Sequence, residues 1–171
     1  MERRVVFGET RWMVRNPWFA WVPALFVVMY TSGYGALMLR GVSTDTDFLL
    51  WLLCGVALPA VLCTWRQRTE VIEEGGRRTL EVSLPPVVWL RWRLELGEVE
   101  GVEVVTFSAP ERTRFGLRRS EEGWHWQSHG DSGVRVRARG LAPRVIGSGR
   151  ADELVVALGW FGVEAAPAKA A

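Results

Sequence analysis

The sequence predicts a membrane-anchored α+β protein: a transmembrane helical hairpin followed by an antiparallel sheet domain that one C-terminal helix closes. Three observations predict it. Two uncharged apolar runs stand close together near the amino end. Period-two alternation dominates the rest of the chain, and helical spacing returns only after Ser148. The composition agrees with a folded domain. Of 171 residues, 49% are apolar and 23% charged, which excludes a disordered or collagen-like chain. A net charge of +2 argues against a polycationic nucleic-acid binder, so no nucleic-acid partner is expected. A mean hydropathy of +0.07 hides the division, because the charges are excluded from both runs.

Residues 1–16 carry four Arg and two Glu and are read as a cytoplasmic N-terminal segment. From Pro17 to Leu39 there is no charge in 23 residues, and from Phe48 to Trp65 none in 18. As helices these runs extend about 35 Å and about 27 Å, against a hydrocarbon core of about 30 Å. A cleaved signal peptide fits the first run poorly: it is longer than an h-region, and no A-x-A site follows it. The eight-residue link forces an antiparallel hairpin over 17–65, in which Ser32, Gly35, Ala36, Gly55 and Ala57 allow close backbone approach.

Arginine sets the expected orientation. Arg3, Arg4, Arg11 and Arg15 precede the first span, and Arg66, Arg68, Arg77 and Arg78 follow the second. The link holds one Arg against Asp45 and Asp47. The positive-inside rule places both termini in the cytoplasm. The expected membrane-interface residues are Arg11, Arg15, Trp18, Trp21, Trp65, Arg66 and Arg68, since indoles and cations favour the headgroup layer. No Asp, Glu, Lys, Arg or His lies in either span, which argues against an ion or proton path.

The domain is expected over 66–163, with 164–171 a flexible tail. Glu70 to Leu84 reads as a hairpin turning at Gly75-Gly76. Val88, Leu90, Trp92, Leu94 and Leu96 alternate with polar residues and with Trp89, as a strand with one buried face does. Gly101–Phe107, Thr113–Arg119, Gly123–Ser128, Gly133–Arg139 and Arg144–Ile146 read as further strands. Leu154, Leu158 and Phe161 then recur at helical spacing, with Asp152 and Glu153 in the first turn, Ser148 as the N-cap and Gly162 at the end.

In LELGEVEGVEVV, in RFGLRRSEEGWHW with GVRVRARG, and in RVIGSGRADELVVAL, the chain resembles the bacterial pleckstrin-homology-like domains of small membrane proteins. The resemblance covers roughly Arg66 to Phe161. It implies an antiparallel β-barrel or sandwich capped by a C-terminal helix. Domains of the family it resembles occur on proteins that help to build photosynthetic membrane complexes. The eukaryotic namesakes often bind inositol lipids through a basic loop. No comparable Lys/Arg-rich loop stands between the first strands here, so inositol-lipid binding is not expected.

Candidate chemistry is sparse. His125 and His129 on a strand would stand about 13 Å apart, too far for one ion, so they are read as surface or cross-strand residues. Glu73-Glu74 and Glu121-Glu122 precede glycine turns and read as solvated charges. Gly147-Ser148-Gly149 before a helix could cradle phosphate but lacks a Walker lysine, so a helix cap is the better reading. Cys54 and Cys63 lie too far apart along one helix for a disulfide. Arg91 and Arg93 share a strand face, as do Arg135, Arg137 and Arg139. They could contact anionic lipid or an acidic partner, though a solvated face with Glu opposite each Arg is favoured.

No catalytic, cofactor-binding or metal residues are therefore expected, and the chain is read as non-enzymatic. The expected role is a structural or assembly subunit of a larger complex in the bacterial inner membrane, photosynthetic complexes included, with integral membrane proteins and lipids as partners. The alternative is a lipid-headgroup or envelope sensor acting through the arginine stripes.

Overall fold

A computed structural model describes residues 3–112, 114, 116–120, 123–127 and 130–165, apart from the side chains of Pro17, Trp18 and Val88. Expectations that fall on the Trp18 side chain, Thr113, Glu121, Glu122, Ser128, His129 and the tail after Ala165 lie outside the described residues. The fold is α+β, with two apolar helices and two sheets.

The first apolar run forms the helix Pro17–Leu39. The second helical stretch runs Asp45–Cys63, three residues ahead of the charge-free run. A capping box explains the early start. Thr44 Oγ1 accepts from the Asp47 amide at 3.3 Å, and Asp47 Oδ2 accepts from the Thr44 amide at 2.8 Å. Within this stretch Trp51–Ala57 is π-helical and ends just before Pro59. Pro59 has no N–H for the Gly55 carbonyl, and its ring crowds that oxygen. A wider i→i+5 turn accommodates both effects. Of the small residues expected at the helix contact, only Gly55 makes it. A Cβ there would lie 3.1 Å from Tyr30 Cβ, whereas one on Gly35 would meet nothing within 4 Å. Ser32, Ala36 and Ala57 are exposed. Tyr34 of the first helix packs against Phe48 and Trp51 of the second, with ring centroids 6.1 and 5.7 Å apart.

The first sheet has the order β1-β2-β3-β4, from Arg3–Trp12, Arg66–Glu74, Arg77–Leu84 and Val87–Glu95. The β2–β3 turn falls at Gly75-Gly76 as expected, with Glu74 opposite Arg77. The residues before the first helix are not a separate segment. Arg3–Trp12 pairs antiparallel with β2 along its length. The two apolar helices are therefore the connection between two neighbouring strands.

The second sheet has the order β5-β8-β9-β7-β6, from Val99–Thr106, Ser132–Ala138, Arg144–Gly147, Gly123–Gln127 and Gly116–Ser120. All its pairs are antiparallel except β7 with β9. The expectation of a wholly antiparallel domain is corrected there. Gly123, at φ 116°, makes that junction possible: a Cβ would lie 1.9 Å from the Pro143 carbonyl oxygen, which accepts the Trp124 amide.

The inner faces of both sheets form one core with the closing helix Ala151–Gly159, which buries Ala151, Leu154, Ala157 and Leu158. Leu154 and Leu158 are fully covered, as the spacing predicts, and Phe161 packs half-buried beneath the Arg78 guanidinium at 4.7 Å.

Candidate functional site

The root of the helical hairpin is a packed junction. Trp12, the last residue of β1, lies opposite Arg66, the first of β2. One step beyond, the Met13 amide donates to the Trp65 carbonyl at 2.9 Å, so the ladder continues past the strands. A 3-10 turn, Met13–Arg15, then redirects the chain. Asn16 is fully buried and caps the first span: its Oδ1 accepts from the Phe19 amide at 3.4 Å, and its carbonyl accepts from Ala20 at 2.9 Å. Phe19 meets Trp65 edge to face at 6.1 Å. The Arg66 guanidinium lies 5.2 Å over the Trp12 ring, and its amide donates to the Pro85 carbonyl at 3.0 Å. Both helices thus join the sheet through a packed junction.

The residues expected at a membrane interface separate into two groups. Arg15 and Trp21 are exposed, and Trp65 and Arg66 are half-buried at the root. Arg68 is exposed and donates to Glu70 at 2.5 Å. Arg11 departs from expectation. It pairs opposite Gln67, and its side chain is only 11% exposed, with Nε 3.6 Å from Glu9. Burial lowers its pKa against the opposing pull of Glu9 and Asp131. β1 turns Phe7, Glu9 and Arg11 toward the interior, so Arg11 faces the second sheet and not headgroups.

The Glu9 carboxylate defines that interior contact. It accepts from Ser148 Oγ and, at 2.9 Å, from the Gly149 amide. The amide of the Gly147-Ser148-Gly149 run that would face a phosphate thus holds the chain's own carboxylate. Ser148 is not the N-cap of the closing helix, whose flanking residue Arg150 has no side-chain cap. Gln67 joins the same seam, donating to the Gly147 carbonyl at 2.9 Å.

The arginine stripes follow one plan in both sheets. Arg91 and Arg93 on β4 both donate to Glu81 on β3, at 2.6 and 3.1 Å. Arg135 and Arg137 on β8 both donate to Glu103 on β5, at 3.2 Å each. Each carboxylate is buried and clasped by two guanidinium groups two residues apart. Burial pushes the Glu81 pKa up, but the bonds from Arg91 and Arg93 prevail and hold it below the usual carboxylate value. Glu70 lies opposite Glu81 and is bridged by Arg68 and, at 3.4 Å, by Arg3. Two facing carboxylates are thus shared among four arginines. Arg139 is the looser member, exposed and 3.6 Å from Glu100.

The structure also makes a pairing that spacing alone hides. Ser120 Oγ lies 2.7 Å from His125 Nε2, and Arg118 Nη2 lies 3.2 Å from His125 Nδ1. A guanidinium can only donate, so it fixes Nδ1 as an acceptor and the ring proton on Nε2. That nitrogen then donates to Ser120 and cannot take its proton, which is the reverse of what an activated serine needs. Only the β6–β7 register, with Arg118 opposite His125, reveals this. Among the described residues no group of three or more His, Cys, Asp or Glu could hold a metal ion, and Cys54 and Cys63 are both free.

Comparison with protein-family models, curated proteins and solved structures finds no match for this chain.

Proposed function

We propose that the chain is a non-enzymatic membrane protein whose hairpin holds a pleckstrin-homology-like domain on the cytoplasmic face of a bacterial inner membrane. There it serves as a structural or assembly subunit of a larger complex; a photosynthetic complex is one that the resemblance admits. The observation that carries this reading is the hairpin root. Two helices long and apolar enough to cross a membrane connect adjacent strands through Met13, Asn16, Phe19 and Trp65. Only 6% and 11% of their apolar windows are buried, so these helices do not form a soluble core. Apolar surface on this scale requires lipid or other helices as its surroundings. A domain held at the membrane surface meets partners at high effective concentration, and modest contacts then suffice.

The sensor reading is less well supported, because Glu81 and Glu103 already occupy the guanidinium groups that would grip a headgroup. Extraction in mild detergent followed by identification of what co-purifies tests the proposal. We expect a stoichiometric complex with integral membrane proteins. A monodisperse monomer, or salt-dependent capture by anionic vesicles alone, contradicts it.

A further inference from the structure

We propose that Trp89 is an interfacial anchor that seats the β3–β4 corner of the domain in the headgroup layer of the membrane crossed by the hairpin; this rests on the membrane reading above. The pairing of β3 with β4 breaks at this corner. Ser83 lies opposite Arg91, but the next residue, Leu84, lies opposite Val87. Val88, Trp89 and Leu90 therefore have no partner across the ladder. An insertion of this kind bends a strand and re-aims a side chain. Here it presents an indole that is 81% exposed. Leaving so large an amphipathic ring in water is unfavourable, and a membrane–water interface is the environment indoles prefer.

The position of the corner identifies the occupant. The Pro85 carbonyl accepts from the Arg66 amide at 3.0 Å, and Trp65, one residue earlier, accepts from Met13 at the foot of the first span. The corner is thereby tied to the root from which both helices leave. The groups at that root are aromatic and cationic: Trp12 under Arg66, and exposed Arg15 in the turn that follows β1. Aromatic rings interleaved with arginine match a headgroup layer. Trp89 then adds a third point of attachment beside the two spans and holds this corner of the domain against the bilayer.

The test uses the full chain in lipid nanodiscs, with Cys54 and Cys63 replaced by Ala and an environment-sensitive dye on a single new cysteine. Pro86→Cys, an exposed site at the corner that leaves Trp89 in place, is compared with Trp160→Cys, a 70% exposed site just past the closing helix, and with Leu25→Cys in the first span, each with and without Trp89→Ala. We expect a spin label near the headgroups to quench the dye at 86 about threefold or more over the dye at 160, with blue-shifted emission, and Trp89→Ala to remove the excess. A dye at 25 quenched by a deep label, together with a dye at 86 quenched no more than one at 160 or equally with and without Trp89, overturns the anchor alone. A dye at 25 that no lipid label quenches overturns the membrane reading and the anchor with it.

Discussion

The Met13 amide and the Trp65 carbonyl meet at 2.9 Å, joining residues on either side of the whole helical hairpin. This bond places the start and end of the hairpin within one ladder step. Movement of the helices is thereby coupled to the edge of the first sheet. Met13 is 1% exposed and Asn16 fully buried, so the coupling is packed as well as hydrogen-bonded. Met13→Ala is expected to cost about 2–5 kcal/mol and Asn16→Ala about 1 kcal/mol. Thermal unfolding in detergent measures both. A Met13→Ala change that leaves the midpoint unmoved contradicts a packed root.

Glu81 gives the fold an acid sensitivity of known sign. Its carboxyl is held below the ordinary value, so its contribution is present above the unfolded-state pKa of about 4.3 and is lost as pH falls through the lower folded value. Glu81→Gln should destabilise the protein by about 1 kcal/mol at neutral pH, since its partners are half exposed. The variant should also lose less stability than the parent between about pH 5 and pH 3. Parallel denaturant titrations at the two pH values decide this, and identical acid dependence in both proteins contradicts the assignment.

Glu9 joins the two sheets by accepting from Ser148 and Gly149 across 139 and 140 positions of sequence. Its removal orphans those donors and leaves Arg11 buried without its neighbour. Glu9→Ala should therefore cost about 2–3 kcal/mol, and Ser148→Ala less. A double-mutant cycle should return a coupling above about 0.5 kcal/mol. Simple additivity contradicts the contact.

Gly123 cannot carry a side chain without displacing the Pro143 carbonyl, and its φ of 116° disfavours any L residue. Gly123→Ala should cost at least about 2 kcal/mol and loosen the β7–β9 pair. Amide exchange at Trp124, Val145 and Ile146 reports that loosening, and unchanged protection there contradicts it.

Much of this architecture is legible in the sequence. The uncharged run from Pro17 to Leu39 matches its helix residue for residue, because exclusion of charge is a strong signal. The Gly75-Gly76 turn and the alternation after Val87 place β2, β3 and β4, and Leu154 and Leu158 place the closing helix. β1 escapes for a physical reason: its inward positions run Phe7, Glu9, Arg11, and the two charges erase the period-two pattern. They face inward because Ser148, Gly149 and Gln67 line the seam, and only the fold brings those residues there. Ser148 fails as a helix cap for the same reason. The short helix Ala109–Arg112 goes unread although Ser108 and Glu111 stand at capping spacing, with the Ser108 amide and hydroxyl donating to Glu111 at 3.0 and 2.8 Å. The arginine stripes are visible as stripes, but their paired carboxylates Glu81 and Glu103 depend on register, which alternation alone does not set.

Labelling of the full chain in sealed, right-side-out bacterial membrane vesicles tests the hairpin most directly. With Cys54 and Cys63 replaced, a membrane-impermeant maleimide is applied to Val42→Cys, between the helices, and to Val156→Cys, on the closing helix. Position 42 is expected to react in sealed vesicles, and position 156 only after the bilayer is opened. Equal reaction at the two sites, or a chain that leaves the membrane on alkaline washing, contradicts it.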